Sequence, residues 1–185
     1  MQADIGADTP LEVWFQDEGR IGQMTHLTRR WAPKGSRPRQ VKDQRFKAAY
    51  MFGAICPERG VGAAIVSPFC NTDAMNKHLA ELSTQVAPSA HAIVVMDQAA
   101  WHTTAKLDLP DNLSLVFLPP KCPELNCMEN VWQFLKNLYL GNRVFDDYEH
   151  IISACCDAWN SLIATPERIR TIGQREWAAK TQRSI

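Results

Sequence analysis

Three carboxylates stand where a fold could bring them together. Asp17 closes the strand-like run LEVWFQD, Asp97 closes HAIVVMD, and Glu129 opens a segment of helical period, with thirty-one residues between the second acid and the third. Carboxylate oxygens are hard ligands, and several in close quarters repel one another unless protons or a cation neutralise them. A divalent cation such as Mg2+ meets that need, so two strand-end acids and one helix acid suggest a metal site able to act on phosphodiesters. Each acid also has a purely structural explanation. Asp17 could begin a turn, Asp97 could turn or cap the chain before QAAWH, and Asn126 to Glu129 has the N-x-x-E spacing of a capping box.

The elements that must position these acids can be read from periodicity. Leu11, Val13, Phe15 and Asp17 alternate on one face of a strand with Trp14 on the other. Gly19 and Gly22 predict a turn, after which the polar stretch through Trp31 could return as a second strand. Lys47 to Cys56 and Val61 to Val66 read as a hairpin about PERG. Asn71 or Thr72 caps a helix carrying Met75, Leu79, Leu82 and Val86, ended by Pro88. Ala92 to Met96 is wholly apolar, as a strand covered on both faces would be, and Leu113 to Leu118 supplies another. Met128, Val131, Trp132, Leu135, Leu138 and Tyr139 form a helical stripe that leaves Glu129 on the side of Gln133 and Lys136. Asp146 opens a further helix through Tyr148, Ile151, Ile152, Cys155, Trp159, Leu162 and Ile163, and Thr165 and Pro166 start a last one. The pattern predicts an α/β sheet covered on both faces, in one domain over 11–185 behind a short extension at 1–10.

Of 185 residues, 45% are hydrophobic and the formal net charge is zero, enough for one substantial core and no overall nucleic-acid signal. The charge is unevenly placed. From Arg29 to Lys47 there are eight basic residues against one acid, Asp43, on a segment that Pro33, Gly35 and Pro38 keep from being helical. Such a loop concentrates a positive field suited to DNA phosphates, and Arg29, Arg30, Trp31, Lys34, Arg37 and Arg39, with Lys136 beside Glu129, are its candidate contacts. Trp31 stands among the arginines and could stack; Trp14, Trp101, Trp132, Trp159 and Trp177 read as core. Glu18 and Glu124 read as solvated neighbours of the acids ahead of a supporting role behind them, and His102 as a polar contact beside Trp101 ahead of one pointing at a substrate or metal. The six cysteines have no zinc-like spacing and no leader precedes them, which points to free thiols in a reducing, cytoplasmic setting. No apolar run approaches the roughly 20 residues that span a bilayer.

Four motifs in order, FQDEGRIG, RRWAPKGSRPR, VVMDQAAWH and LPPKCPELNCMENVWQFLK, resemble the bacterial insertion-sequence branch of the mariner-like transposases, the DDE superfamily endonucleases. The family usually has asparagine at Gln98, tyrosine-serine at Lys121 and Cys122, and proline at Cys127. The resemblance implies an RNase H-like fold, a mixed five-stranded sheet whose first and fourth strands lie side by side, with Asp17, Asp97 and Glu129 as the metal-binding catalytic triad. It implies Mg2+, with Mn2+ able to substitute, and cleavage and strand transfer on double-stranded DNA, both element ends and target, by a homodimer. Because such transposases carry helix-turn-helix modules ahead of this domain, a separate N-terminal DNA-binding product is an expected partner. The alternative is a catalytically inactive remnant that keeps the fold and binds DNA, and a host nuclease of the RNase H or resolvase type ranks behind both. If the basic segment neutralises even four phosphates, log affinity for DNA falls against log salt with a slope of about −3 to −4; a salt series of binding isotherms checks this, and a flat response contradicts the assignment.

Overall fold

The computed structural model describes residues 5–6, 8–24, 28–29, 31–36, 39, 41, 43–99, 101–102, 104–120 and 122–174. Strands β1 (Leu11–Gly22), β2 (Ala48–Cys56) and β3 (Val61–Ser67) form an antiparallel meander. Strands β4 (His91–Met96) and β5 (Leu113–Phe117) extend it in parallel from β1, in the order β3-β2-β1-β4-β5. Helix α1 (Thr72–Gln85) packs on one face, while α2 (Met128–Leu135), α3 (Tyr148–Ile163) and α4 (Pro166–Gly173) cover the other. The expected mixed five-stranded sheet, with its first and fourth strands adjacent, is therefore present.

The central strand shows why both faces had to be covered. Trp14 enters the core beneath α1 and Phe15 the core beneath α2 to α4, and neither is more than 1% exposed. Asn71 caps α1, its side chain accepting from the Ala74 amide, and Asp147 rather than Asp146 caps α3 by accepting from His150 N. Among the described residues no helix is long and apolar enough to cross a membrane.

Two expectations fail for identifiable reasons. The turn at Gly19 and Gly22 is absent, because β1 runs on to Gly22 and stays paired with β2 down to Gly22 opposite Ala48. These glycines serve close approach instead: a Cβ on Gly19 would lie 3.1 Å from the Trp132 ring, and one on Gly22 2.8 Å from the Lys47 carbonyl. No described residue between Gln23 and Lys47 belongs to a strand, so the meander's second strand is β2. The apolar stripe of α2 also loses phase. From Lys136 to Leu140 the helix widens into a π-turn, closed by Gly141 N–H donating to the Lys136 carbonyl, so Leu138 is exposed and Leu140 buried.

The described residues of the basic segment up to Lys47 carry no helix or strand, and the segment is held at both ends against the residues after that π-turn. Thr28 N–H donates to Asn142 Oδ1 at 3.0 Å, and Asn142 Nδ2 returns a bond to the Thr28 carbonyl. At the other end the Arg45 guanidinium pairs with Asp43 and donates to the Phe145 and Asp146 carbonyls, while Gln23 also donates to Phe145 O. Within it, Gly35 takes a left-handed φ of 84° in the turn at Lys34 and Gly35.

Gly53 of β2 lies opposite Asp17 of β1, and a Cβ there would come within 2.9 Å of the Trp132 ring and 3.0 Å of Met128. Gly53→Val is expected to force these side chains apart and lower stability by about 1–3 kcal/mol, as measured by urea unfolding.

Candidate functional site

The parallel register places two of the acids together. The β1–β4 ladder ends at Phe15 opposite Val95, and Asp17 and Asp97 each lie two residues beyond that pair. Asp97 does follow the end of β4, but Asp17 does not end its strand: β1 continues along β2, so Asp17 stands where the parallel neighbour stops. Both acids thus reach the carboxyl end of β4, the edge at which ligands of such sheets gather.

Helix α2 delivers the third acid through two buried bonds. Asn126 Nδ2 donates to the Gln16 carbonyl at 2.8 Å, and its Oδ1 accepts from Met128 N at 3.0 Å. Trp132 Nε1 then donates to Asp17 Oδ2 at 2.8 Å. Glu129, one turn before Trp132, is exposed and does not cap the helix. Asn126 N–H bonds the Pro123 carbonyl, and the N-cap position, Cys127, makes no side-chain cap bond. The capping-box explanation of Glu129 is therefore set aside.

Asp17, Asp97 and Glu129 line one cleft of about 410 Å³, together with Leu118, Pro119, Pro120 and Pro123. Among the described residues no three His, Cys, Asp or Glu side chains already converge on one ion-sized point; the acids face a common space without being gathered. Their donor set, carboxylate oxygens alone, suits a hard divalent cation. Burial raises the Asp17 carboxyl to about 7 against the lowering bond from Trp132, with the charges of Glu18 and Glu129 adding to the rise. A cation bound there would have to compete with the proton that this burial favours.

Glu18 is not the solvated neighbour expected from sequence. Its side chain is 9% exposed, and Oε1 accepts from Gln16 Nε2 at 3.0 Å, Trp101 Nε1 at 3.3 Å and His102 Nε2 at 2.8 Å. The other ring nitrogen of His102, Nδ1, lies 2.9 Å from Asp97 Oδ1. Burial disfavours the imidazolium, yet the bond and charge of Glu18, then those of Asp97, leave the His102 pKa raised. Glu124 is exposed, as expected.

A second groove, of about 850 Å³, shares Glu129 with the cleft and is lined by Thr28, Arg29, Asn130, Trp132, Gln133, Lys136 and Asn137. It brings Arg29 and Lys136 together beside the acids. Trp31 is fully exposed, and Lys34 and Arg39 are exposed too, but none of the three lines either space. Arg30 and Arg37 lie outside the described residues, as does Trp177. Lys136 also borders a smaller pocket of about 220 Å³ with Arg20 and Arg143. Neither arginine belongs to the charge run, so composition alone gave no reason to single them out.

The model of the DDE superfamily endonuclease family matches residues 12–152, a span that includes all three acids. The chain belongs to the DDE superfamily endonucleases. This DDE chain is 53% identical over 133 residues to the uncharacterized protein y4pE/y4sA of Sinorhizobium fredii (strain NBRC 101917 / NGR234), covering 72% of its own length and 98% of the relative's. Among solved structures it is similar to the Mos1 mariner paired-end complex with Mn, with a TM-score of 0.59 at 14% identity over 89% of this chain. It is likewise similar to the Mos1 strand transfer complex, with a TM-score of 0.58 at 16% identity over 89%. It spans 55–56% of the length of those Mos1 chains. The likeness shows that the DDE chain has the RNase H-like fold.

Because the folded Asp17 pKa of about 7 lies above its ordinary 3.8, the folded chain keeps a proton that the unfolded chain releases in that window. Stability of the metal-free protein is thus lost as pH rises from about 4 to about 7, with a slope from this one group of up to about 1.4 kcal/mol per pH unit. Urea unfolding across that range, in wild type and Asp17→Asn, checks the sign: the variant is expected to lack this limb.

Proposed function

We propose that the chain is the catalytic domain of a transposase, performing DNA strand cleavage and strand transfer during insertion-sequence transposition. The observation that carries this reading is the opening of Asp17, Asp97 and Glu129, from three separate elements, onto one cleft that adjoins a groove carrying Arg29 and Lys136. The Mos1 structures similar to this chain are complexes named for paired ends, with Mn in one and Mg in another, and for strand transfer. They support DNA as the partner and a divalent cation, Mg2+ or Mn2+, as the cofactor.

Asp17, Asp97 and Glu129 would hold the cation, which when bound supplies charge neutralisation to the phosphate and a lowered pKa to the attacking water or 3′-hydroxyl. The residues themselves set the rest. Trp132 keeps one Asp17 oxygen fixed, and Asp97 keeps its side chain 60% exposed toward the cleft. Arg29 and Lys136 attract the phosphate backbone along the groove, with exposed Trp31, Lys34 and Arg39 on the same loop, and Arg30 and Arg37 are assigned to the same track. In cleavage, a water oxygen forms a bond to phosphorus as the P–O3′ bond breaks; in transfer, the freed 3′-hydroxyl attacks a target phosphate and a second 3′-oxygen leaves. Both reactions exchange one phosphate ester for another or for a terminal phosphate, so no oxidant or energy source is required. The working unit proposed is a homodimer holding two DNA ends.

A second reading, a DNA-binding remnant without cleavage, draws on the spread of the three acids around the cleft rather than about one point. Calorimetric Mn2+ titration separates the two. Wild type is expected to bind, with Glu129→Gln weakened at least tenfold at unchanged melting temperature, since Glu129 caps nothing. Asp97→Asn, which removes a charge at nearly constant volume, is expected to abolish Mn2+-dependent nicking of DNA while the fold persists by circular dichroism. Undiminished nicking by that variant refutes the catalytic assignment.

A further inference from the structure

The polar cluster beneath Asp97 has no part in the reaction as described above, yet three side-chain donors meet on one of its carboxylate oxygens. Glu18 points to the α1 side of β1, opposite to Asp17, and sits with Gln16 and Trp101 under the turn that follows β4. Three donors converge on its Oε1, from Gln16, Trp101 and His102. A carboxylate so buried, with three protein donors on one oxygen, is anchored by that oxygen to the turn after β4. His102 is 2% exposed, packs edge-on against Trp101 at a centroid distance of 5.8 Å, and carries that anchor to Asp97. Its Nδ1 meets Asp97 Oδ1 at 2.9 Å and the Asp97 carbonyl at 3.1 Å.

The consequence falls on Asp97. Its Oδ1 accepts from the Ala99 amide at 3.0 Å and lies 2.9 Å from His102 Nδ1, whose hydrogen bond goes to the Asp97 carbonyl; together these fix the torsion of an otherwise exposed side chain. No described group donates to Oδ2, and Asp97 lines the cleft with Asp17 and Glu129. A carboxylate with one oxygen tied back and one left open is how a protein presents a single lone-pair direction to a cation.

We propose that Glu18 and His102 are a paired positioning device for Asp97: the Glu18 carboxylate orients the His102 ring, and the ring holds Asp97 Oδ1 so that Oδ2 faces the cleft. This rests on the cation reading of the three acids, which it deepens by adding two residues that touch neither substrate nor cation. Outer partners of metal-ligating groups typically matter by 10–100-fold in metal affinity. A merely structural pair would shift the melting temperature and leave the affinity alone.

The test is calorimetric Mn2+ titration of the full chain as wild type, His102→Gln, Glu18→Gln and Asp97→Asn, with His102→Gln repeated in the Asp97→Asn background. Glutamine at 102 cannot bridge two carboxylates, and glutamine at 18 keeps the shape without the charge. About 10–100-fold weaker Mn2+ binding is expected in His102→Gln and in Glu18→Gln, with no further loss from His102→Gln once Asp97 is asparagine. Binding within twofold of wild type in His102→Gln, or an equal loss in both backgrounds, overturns the proposal. Should His102→Gln fail to fold, Glu18→Gln carries the same comparison. A second readout needs no metal: proton NMR of the metal-free chain is expected to show a His102 Nδ1–H proton, bonded to the Asp97 carbonyl, that shifts in Asp97→Asn and in Glu18→Gln. If wild type takes up no Mn2+, the cation reading falls and the NMR decides the bridge by itself; a Nδ1 proton that persists unchanged in Asp97→Asn overturns it.

Discussion

The buried amide of Asn126 is the interaction on which the site depends. An amide sealed from water is costly unless its polar atoms are bonded, and here both ends are used, one on the Gln16 carbonyl of β1 and the other on the first amide of α2. Because the bonded carbonyl belongs to the residue before Asp17, the helix that carries Glu129 is referenced to the strand that carries Asp17 by a single side chain. Trp132 repeats the reference one turn later from the same helix, and glycine at 19 and 53 leaves room for its ring against the sheet. Fold and site are thus joined at one seam, where packing density and polar bonding must both be met.

Charge is sorted around that seam. The chain is neutral as a whole, yet Asp17, Asp97 and Glu129 meet at one cleft and Arg29 and Lys136 lie along the groove that adjoins it. Burial raises the Asp17 carboxyl, and the nearby charges of Glu18 and Glu129 add to the rise. The protein accepts this local repulsion in the folded state, a common arrangement where charge is kept ready for an incoming partner.

Much of this was legible in the sequence, for physical reasons. An unbroken apolar run marks β4 and burial of period 3.6 marks α1 and α3 because their covered faces are apolar, and Asp97 and Glu129 stand out as acids where such runs end or begin. What stayed hidden depends on contacts distant in the chain. Gly19 and Gly22 look like turn residues until Trp132 and Lys47 come to lie against them. Asn126 and Glu129 match a capping box in spacing, but Asn126 turns to a strand 110 residues away. Glu18 looks solvated because nothing local shows that Trp101 and His102 will close over it, and the π-turn after Leu135 breaks a stripe that reads as continuous. Arg20 and Arg143 become neighbours of Lys136 only through the fold.

The two anchored feet of the basic loop separate its shape from its length. Since Thr28 is tied to Asn142 and Arg45 to Phe145 and Asp146, the stretch between them is a closed loop whose ends stay in place whatever lies at its tip. Closing such a loop costs only about 0.6 kcal/mol more for each doubling of its length. Insertions or replacements between the feet therefore leave the seam at Asn126 and the three acids undisturbed. The loop can diverge as a replaceable part, at little thermodynamic cost to the seam that positions the three acids.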